Sequence, residues 1–132
     1  MVAVGLLVAF LLWPGVAIPY YPSPACSDNK SAAELTILFF TAPWCGPCRP
    51  VKTVLDEFSQ AHGETVKLIP IDIDESKAEA ERWGVGEIPV VIALSHEGEL
   101  LLRQQGGDPP AVRALKRALE DLLKRSRRRR DQ

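Results

Sequence analysis

Hydrophobic positions along this chain follow two periods, and the changes from one to the other mark its elements. Residues 35–41, Leu-Thr-Ile-Leu-Phe-Phe-Thr, form an apolar, β-prone run of strand length. Val51, Val54, Leu55 and Phe58 then recur at i, i+3, i+4 and i+7, which predicts a helix over 46–62. A second strand is expected at 66–72 and a short helix at 76–83, closed by Gly84 at the C′ position. Strands at 89–95 and 99–105 flank the turn Ser95-His-Glu-Gly98, a connection short enough to make the pair antiparallel. The last helix opens at Asp108 as N-cap, with Pro109-Pro110 in its first turn. Val112, Leu115, Leu119, Leu122 and Leu123 supply its buried stripe. The order βα-β-α-ββ-α implies an α/β fold, a central mixed four-stranded sheet with helices on both faces. Pro50 is a local conflict in the first helix, where it deletes the bond to Gly46 and a slight bend is expected.

Upstream of the first strand the pattern changes. No charged side chain occurs from Met1 to Ser27, and Val2–Trp13 is solidly apolar, broken by Pro14-Gly15 and resumed at 16–18. As a helix, Val2 to Ile18 would span about 25 Å, slightly short of a hydrocarbon core of about 30 Å, a mismatch that bilayer thinning accommodates. The segment also fits a cleaved signal, with Gly15-Val-Ala17 or Ser23-Pro-Ala25 as the small-residue site, although no basic residue precedes it. A lipid on Cys26 is a poorer third match because of Pro24. Residues 1–18 therefore read as transmembrane anchor or signal, 19–33 as a Pro-rich tether, 34–125 as the folded domain and 126–132 as a basic tail. Only Lys30 lies close enough to bear on orientation. An N-terminal apolar segment most simply delivers the domain behind it across the membrane. The domain is thus expected outside the cytoplasm, anchored or secreted, where disulfides persist.

The chemistry lies in Trp44-Cys45-Gly46-Pro47-Cys48, where a strand feeds a tight turn and then a helix. Unpaired N–H groups and the positive dipole end near a helix start favour a thiolate at Cys45. Cys48, three residues on, is placed to attack a mixed disulfide formed at Cys45. A zinc site needs four ligands, and only Cys26, His62 and His96 remain, without paired spacing. Both histidines read as surface residues, Cys26 as a free exposed thiol, and no metal is expected.

This motif, followed by Arg49, a helix, a strand at 66–74 and Gly86-Glu-Ile88-Pro89, resembles the thioredoxin family over residues 34–125. The resemblance implies a thioredoxin-like fold lacking the strand and long helix that open a full thioredoxin. It implies a cis Ile88–Pro89 bond, with Ile88 and Pro89 as the platform for a substrate strand. It implies a thiol–disulfide oxidoreductase with Cys45 as nucleophile, Cys48 as resolving thiol, and Trp44, Gly46, Pro47 and Arg49 shaping the active-site loop. No cofactor is needed, a monomer is expected, and the partners are protein disulfides or dithiols plus an upstream electron donor or acceptor. The competing class is an adaptor that binds an extended peptide beside Ile88-Pro89 without turnover. The sequence departs from the family in two places. Phe39 stands where thioredoxins bury an aspartate, and Pro70 replaces its lysine neighbour. The proton of Cys48 must then go to water or to another carboxylate, such as Glu87.

Charge is divided along the chain. Residues 28–112 hold seven basic and fourteen acidic side chains, net −7. Residues 113–130 hold nine and two, net +7, and Asp131 brings the total to −1. The acidic body and the lack of aromatic residues among Arg127–Arg130 argue against a nucleic-acid partner. The arginines suit a solvated helix end or anionic lipid.

Overall fold

The computed structural model describes residues 33–132; the anchor or signal segment 1–18, the tether up to residue 32 and Cys26 lie outside the described residues. The elements run β1 (Leu35–Thr41), α1 (Cys48–His62), β2 (Val66–Asp72), α2 (Lys77–Arg82), β3 (Val90–Ser95), β4 (Leu100–Gln105) and α3 (Pro109–Arg130). A single 3-10 turn, Gly63–Thr65, joins α1 to β2. The sheet order is β2-β1-β3-β4. β1 pairs in parallel with β2, and the β1–β3 and β3–β4 pairs are antiparallel, with an irregularity at Ala93/Leu94.

β1 is central and carries apolar residues toward both faces, as a strand covered on both sides must. Leu35, Ile37 and Phe39 face α1 and α3, where Val51, Leu55, Leu115, Leu119 and Leu123 complete the larger core. Leu38 and Phe40 face α2, packing with Ile71, Ala80, Val90 and Ile92. Each fully buried Leu or Phe contributes roughly 1.5–3 kcal/mol, so these two layers fix the register of β1. β2 lies at the sheet edge, and Lys67 and Pro70 blunt it against further pairing.

Several expectations are corrected. α1 begins at Cys48 rather than 46, because Pro47 is its N-cap. Pro50 is therefore the third helical residue, whose N–H would have had no intrahelical partner, and no bond is lost. Gly84 does close α2, at φ +62°, with Val85 N donating to Ala80 O at 2.8 Å. The basic run 126–130 forms the end of α3, which reaches Arg130. His62 is half-buried, its ring edge-on to Phe58 with centroids 4.5 Å apart, and faces Glu120. Among the described residues no helix is long and apolar enough to cross a membrane.

Candidate active site

β1 ends at Thr41, and the chain turns through Ala42–Pro47 before α1 starts at Cys48. Two backbone bonds shape this turn: Cys45 N donates to Ala42 O at 3.1 Å, and Arg49 N to Gly46 O at 3.2 Å. Cys45 and Cys48 are joined as a disulfide with Cα atoms 5.4 Å apart. Both are buried in this oxidised form, at 6% and 3% exposure, so Cys45 is only marginally more accessible than its partner. Trp44 is 67% exposed. Arg49, expected in the loop, is the second residue of α1.

The Ile88–Pro89 bond is cis, as expected. It precedes β3, whose Val90 pairs with Phe40, so Ile88 and Pro89 stand at the strand end from which the cysteine loop departs. Gly106 N donates to Pro89 O at 3.1 Å. The next residue, Gly107, presses on the loop so closely that an added Cβ would lie 2.0 Å from the Pro47 carbonyl oxygen. The tandem glycine before α3 thus packs the start of that helix against the dithiol loop. Gly106-Gly107 was visible in the sequence only as a turn before Asp108, and its contact with Pro47 is tertiary.

A cleft of about 300 Å³ opens beside the disulfide, between Thr41–Pro43, both cysteines, Arg49, Lys52 and Asp72. Asp72 ends β2 opposite Thr41, the parallel pairing carrying it to the dithiol. Its Oδ1 accepts from Asp74 N at 2.9 Å, and Asp74 Oδ2 accepts from Trp44 Nε1 at 2.8 Å. Glu87, the carboxylate expected to serve Cys48, is turned elsewhere: its Oε2 accepts from Gln105 Nε2 at 3.0 Å, and it does not line the cleft. Phe39 is 1% exposed, packed in the same core cluster as Cys48 and paired in register with Pro70. Asp72, Asp74 and Lys52 are the polar residues that sequence reasoning missed. For the two aspartates the signal was an Asp-x-Asp at the end of β2, where an aspartate side chain closes a turn on the backbone two residues on; Lys52 had none.

The thioredoxin family model matches residues 27–120. This chain belongs to the thioredoxin family. Thioredoxin of Bacillus subtilis is 37% identical to it over 101 residues, which cover 74% of this chain and 90% of that relative. Among solved structures, oxidised thioredoxin O2 of Arabidopsis thaliana superposes with a TM-score of 0.60 at 29% identity, covering 69% of this chain and 76% of that one. Oxidised mitochondrial thioredoxin 3 of Saccharomyces cerevisiae gives 0.56 at 28%, covering 67% and 78%. Thioredoxins are thiol–disulfide oxidoreductases, and this member has its cysteine pair at bonding distance.

Proposed function

We propose that this thioredoxin reduces disulfides in protein substrates, with Cys45 as the attacking thiolate and Cys48 as the resolving thiol. The observation that carries the reading is the Cys45–Cys48 disulfide at the head of α1 beside an open cleft. In the dithiol form, Cys45 Sγ attacks a substrate S–S bond and releases one substrate thiolate. Cys48, deprotonated, then attacks Cys45 Sγ, closes the internal disulfide and releases the second thiolate. The proton of Cys48 leaves through the cleft, where Asp72 is the carboxylate beside the dithiol. A second dithiol system restores the reduced pair. Ile88 and Pro89 receive the substrate strand, Trp44 covers the loop with Asp74 holding its indole, and Gly46 and Pro47 set the turn.

The proposal extends to place. The uncharged segment 1–18 anchors the protein in the membrane, with the domain outside the cytoplasm and acting as a monomer; the support is the composition of Met1–Ser27. The deciding experiment is turnover of a protein disulfide with dithiothreitol as reductant, run beside Cys48→Ser. Catalytic turnover by the native chain and accumulation of a mixed disulfide at Cys45 in the variant are expected. Binding without turnover would instead favour the adaptor reading.

A further inference from the structure

The end of the molecule opposite the dithiol has its own chemistry. α3 starts against the cysteine loop and, at 22 residues, carries its last turn about 33 Å away. That last turn is Arg127–Arg130, with Arg125 one turn earlier, all exposed. The start of β1 lies here too: Glu34 is buried, its Oε1 paired with Arg130, its Oε2 without a partner among the described residues. Glu34 N is fixed by Thr65 O at 2.9 Å. The chain that precedes β1, carrying the uncharged segment, therefore joins the domain beside the arginine cluster. Between them lies a cavity of about 430 Å³ with an apolar floor, Leu101 and Leu122, and a cationic rim, Arg125, Arg129 and Arg130. Leu100 at its mouth is 54% exposed.

We propose that this pole is a seat for an anionic phospholipid surface, which holds the tethered domain against the bilayer with the dithiol facing away. The inference rests on the anchor reading of segment 1–18. Three observations favour lipid over other polyanions. The arginines gather at Glu34, where the chain enters β1. The cavity offers leucine beneath cations, the same layering as acyl chain beneath phosphate. No Phe, Tyr or Trp lines it, and its one imidazole, His96, lies beside Glu97 on the β3–β4 turn, where it offers no stacking platform among the arginines. The fifteen residues between Ile18 and Glu34, at no more than about 3.6 Å each, reach far enough for the pole to touch the leaflet without strain. Two carboxylates also line the cavity, Glu97 on the β3–β4 turn and Glu34, which is taken by Arg130, so the headgroups fall to Arg125 and Arg129.

The test uses the full chain in nanodiscs of phosphatidylcholine alone or with about one third phosphatidylglycerol. Backbone hydrogen exchange over 125–131 is compared with that over 46–50. In anionic discs the helix end should exchange about fivefold more slowly at low salt, the difference vanishing near 0.5 M salt, while the dithiol loop stays unchanged. The variant Arg125→Gln/Arg127→Gln/Arg129→Gln keeps Arg130 on Glu34 but removes the other two rim arginines, and should exchange alike in both discs. Equal exchange of the native chain in both discs overturns the proposal, as does slowing that the variant retains. Equal protection by a short RNA duplex in place of lipid would assign the arginines to nucleic acid instead. Retention of the chain in neutral discs reports the anchor separately. Retention only in anionic discs removes the anchor and leaves the lipid seat standing, and retention in neither removes both.

Discussion

The two ends of α3 solve opposite problems. At its start, Gly106-Gly107 packs into the cysteine loop, Pro89 is tied to Gly106, and both cysteines are buried, so the backbone around the dithiol has little freedom. At its finish, arginines point into solvent and a cavity stands open beside a half-satisfied Glu34. Thiol exchange requires the attacking and resolving sulfurs to be aligned within a fraction of an ångström. Contact with a fluid polyanionic surface needs only charge and exposure. One rigid helix therefore joins a site whose geometry is prescribed to a surface whose geometry is not.

The sharpest way to break this division is to remove the chemistry from one end and the charge from the other. Cys45→Ser should reduce disulfide turnover to the uncatalysed background. The triple arginine-to-glutamine variant should stay within about twofold of native turnover on a soluble substrate, because about 33 Å exceeds several Debye lengths at physiological salt. Steady-state rates on the same substrate check both. A tenfold loss in the arginine variant would show that the two ends are coupled.

The next largest effect concerns Phe39, in the core layer that holds Cys48. Phe39 is fully buried against α1 and α3 and faces Pro70 across the parallel pair. Phe39→Asp forfeits that packing and places a carboxyl with no cation beside it. A loss of about 3–5 kcal/mol is expected in urea unfolding. A loss under about 1 kcal/mol would mean that water already reaches the position.

Much of this arrangement was legible in the sequence. β1, β2 and α3 began where the hydrophobic period changed, because a central strand buried on both faces and a striped helix leave strong signatures. The cysteine motif and Ile88-Pro89 were legible because each is local. What escaped was tertiary. Asp72 reaches the cleft only through the parallel register of β1 with β2, and Asp74 meets Trp44 thirty residues away. Gly107 is needed only because α3 folds back onto Pro47. Glu87 was a reasonable candidate base by composition, and its bond to Gln105 across the strand end could not be read from either residue. Arg127–Arg130 suited a helix end in the sequence, and α3 carries them as its last turn, held by the stripe of Leu115, Leu119 and Leu123.

Asp72 gives a smaller and more specific effect at the dithiol end. Asp72→Asn should slow closure of the internal disulfide about a hundredfold, the lower range for a positioned base, and leave the first attack by Cys45 unchanged. Rapid-quench trapping of the mixed disulfide separates the two steps. Equal closure rates in both proteins would assign the proton to water.

The smallest effect lies at the far end, in the pair of Glu34 with Arg130. Glu34 has a side chain only 9% exposed, whereas that of Arg130 is 63% exposed. Such a pair is neither a surface contact, worth little, nor a buried one whose rupture is severe. Arg130→Gln leaves a nearly buried carboxylate unpaired and should cost about 1–2 kcal/mol. Glu34→Gln removes the charge that needs a partner and should cost less, about 0.5 kcal/mol, since it exchanges an ion pair for a neutral amide. The double variant should lie near Glu34→Gln alone, giving a coupling equal to the cost of Arg130→Gln, about 1–2 kcal/mol, in a double-mutant cycle. Denaturant unfolding of the four proteins in the same detergent measures it. A coupling within a few tenths of zero would show that the last turn of α3 does not clasp the start of β1. The arginines would then move independently of the start of β1.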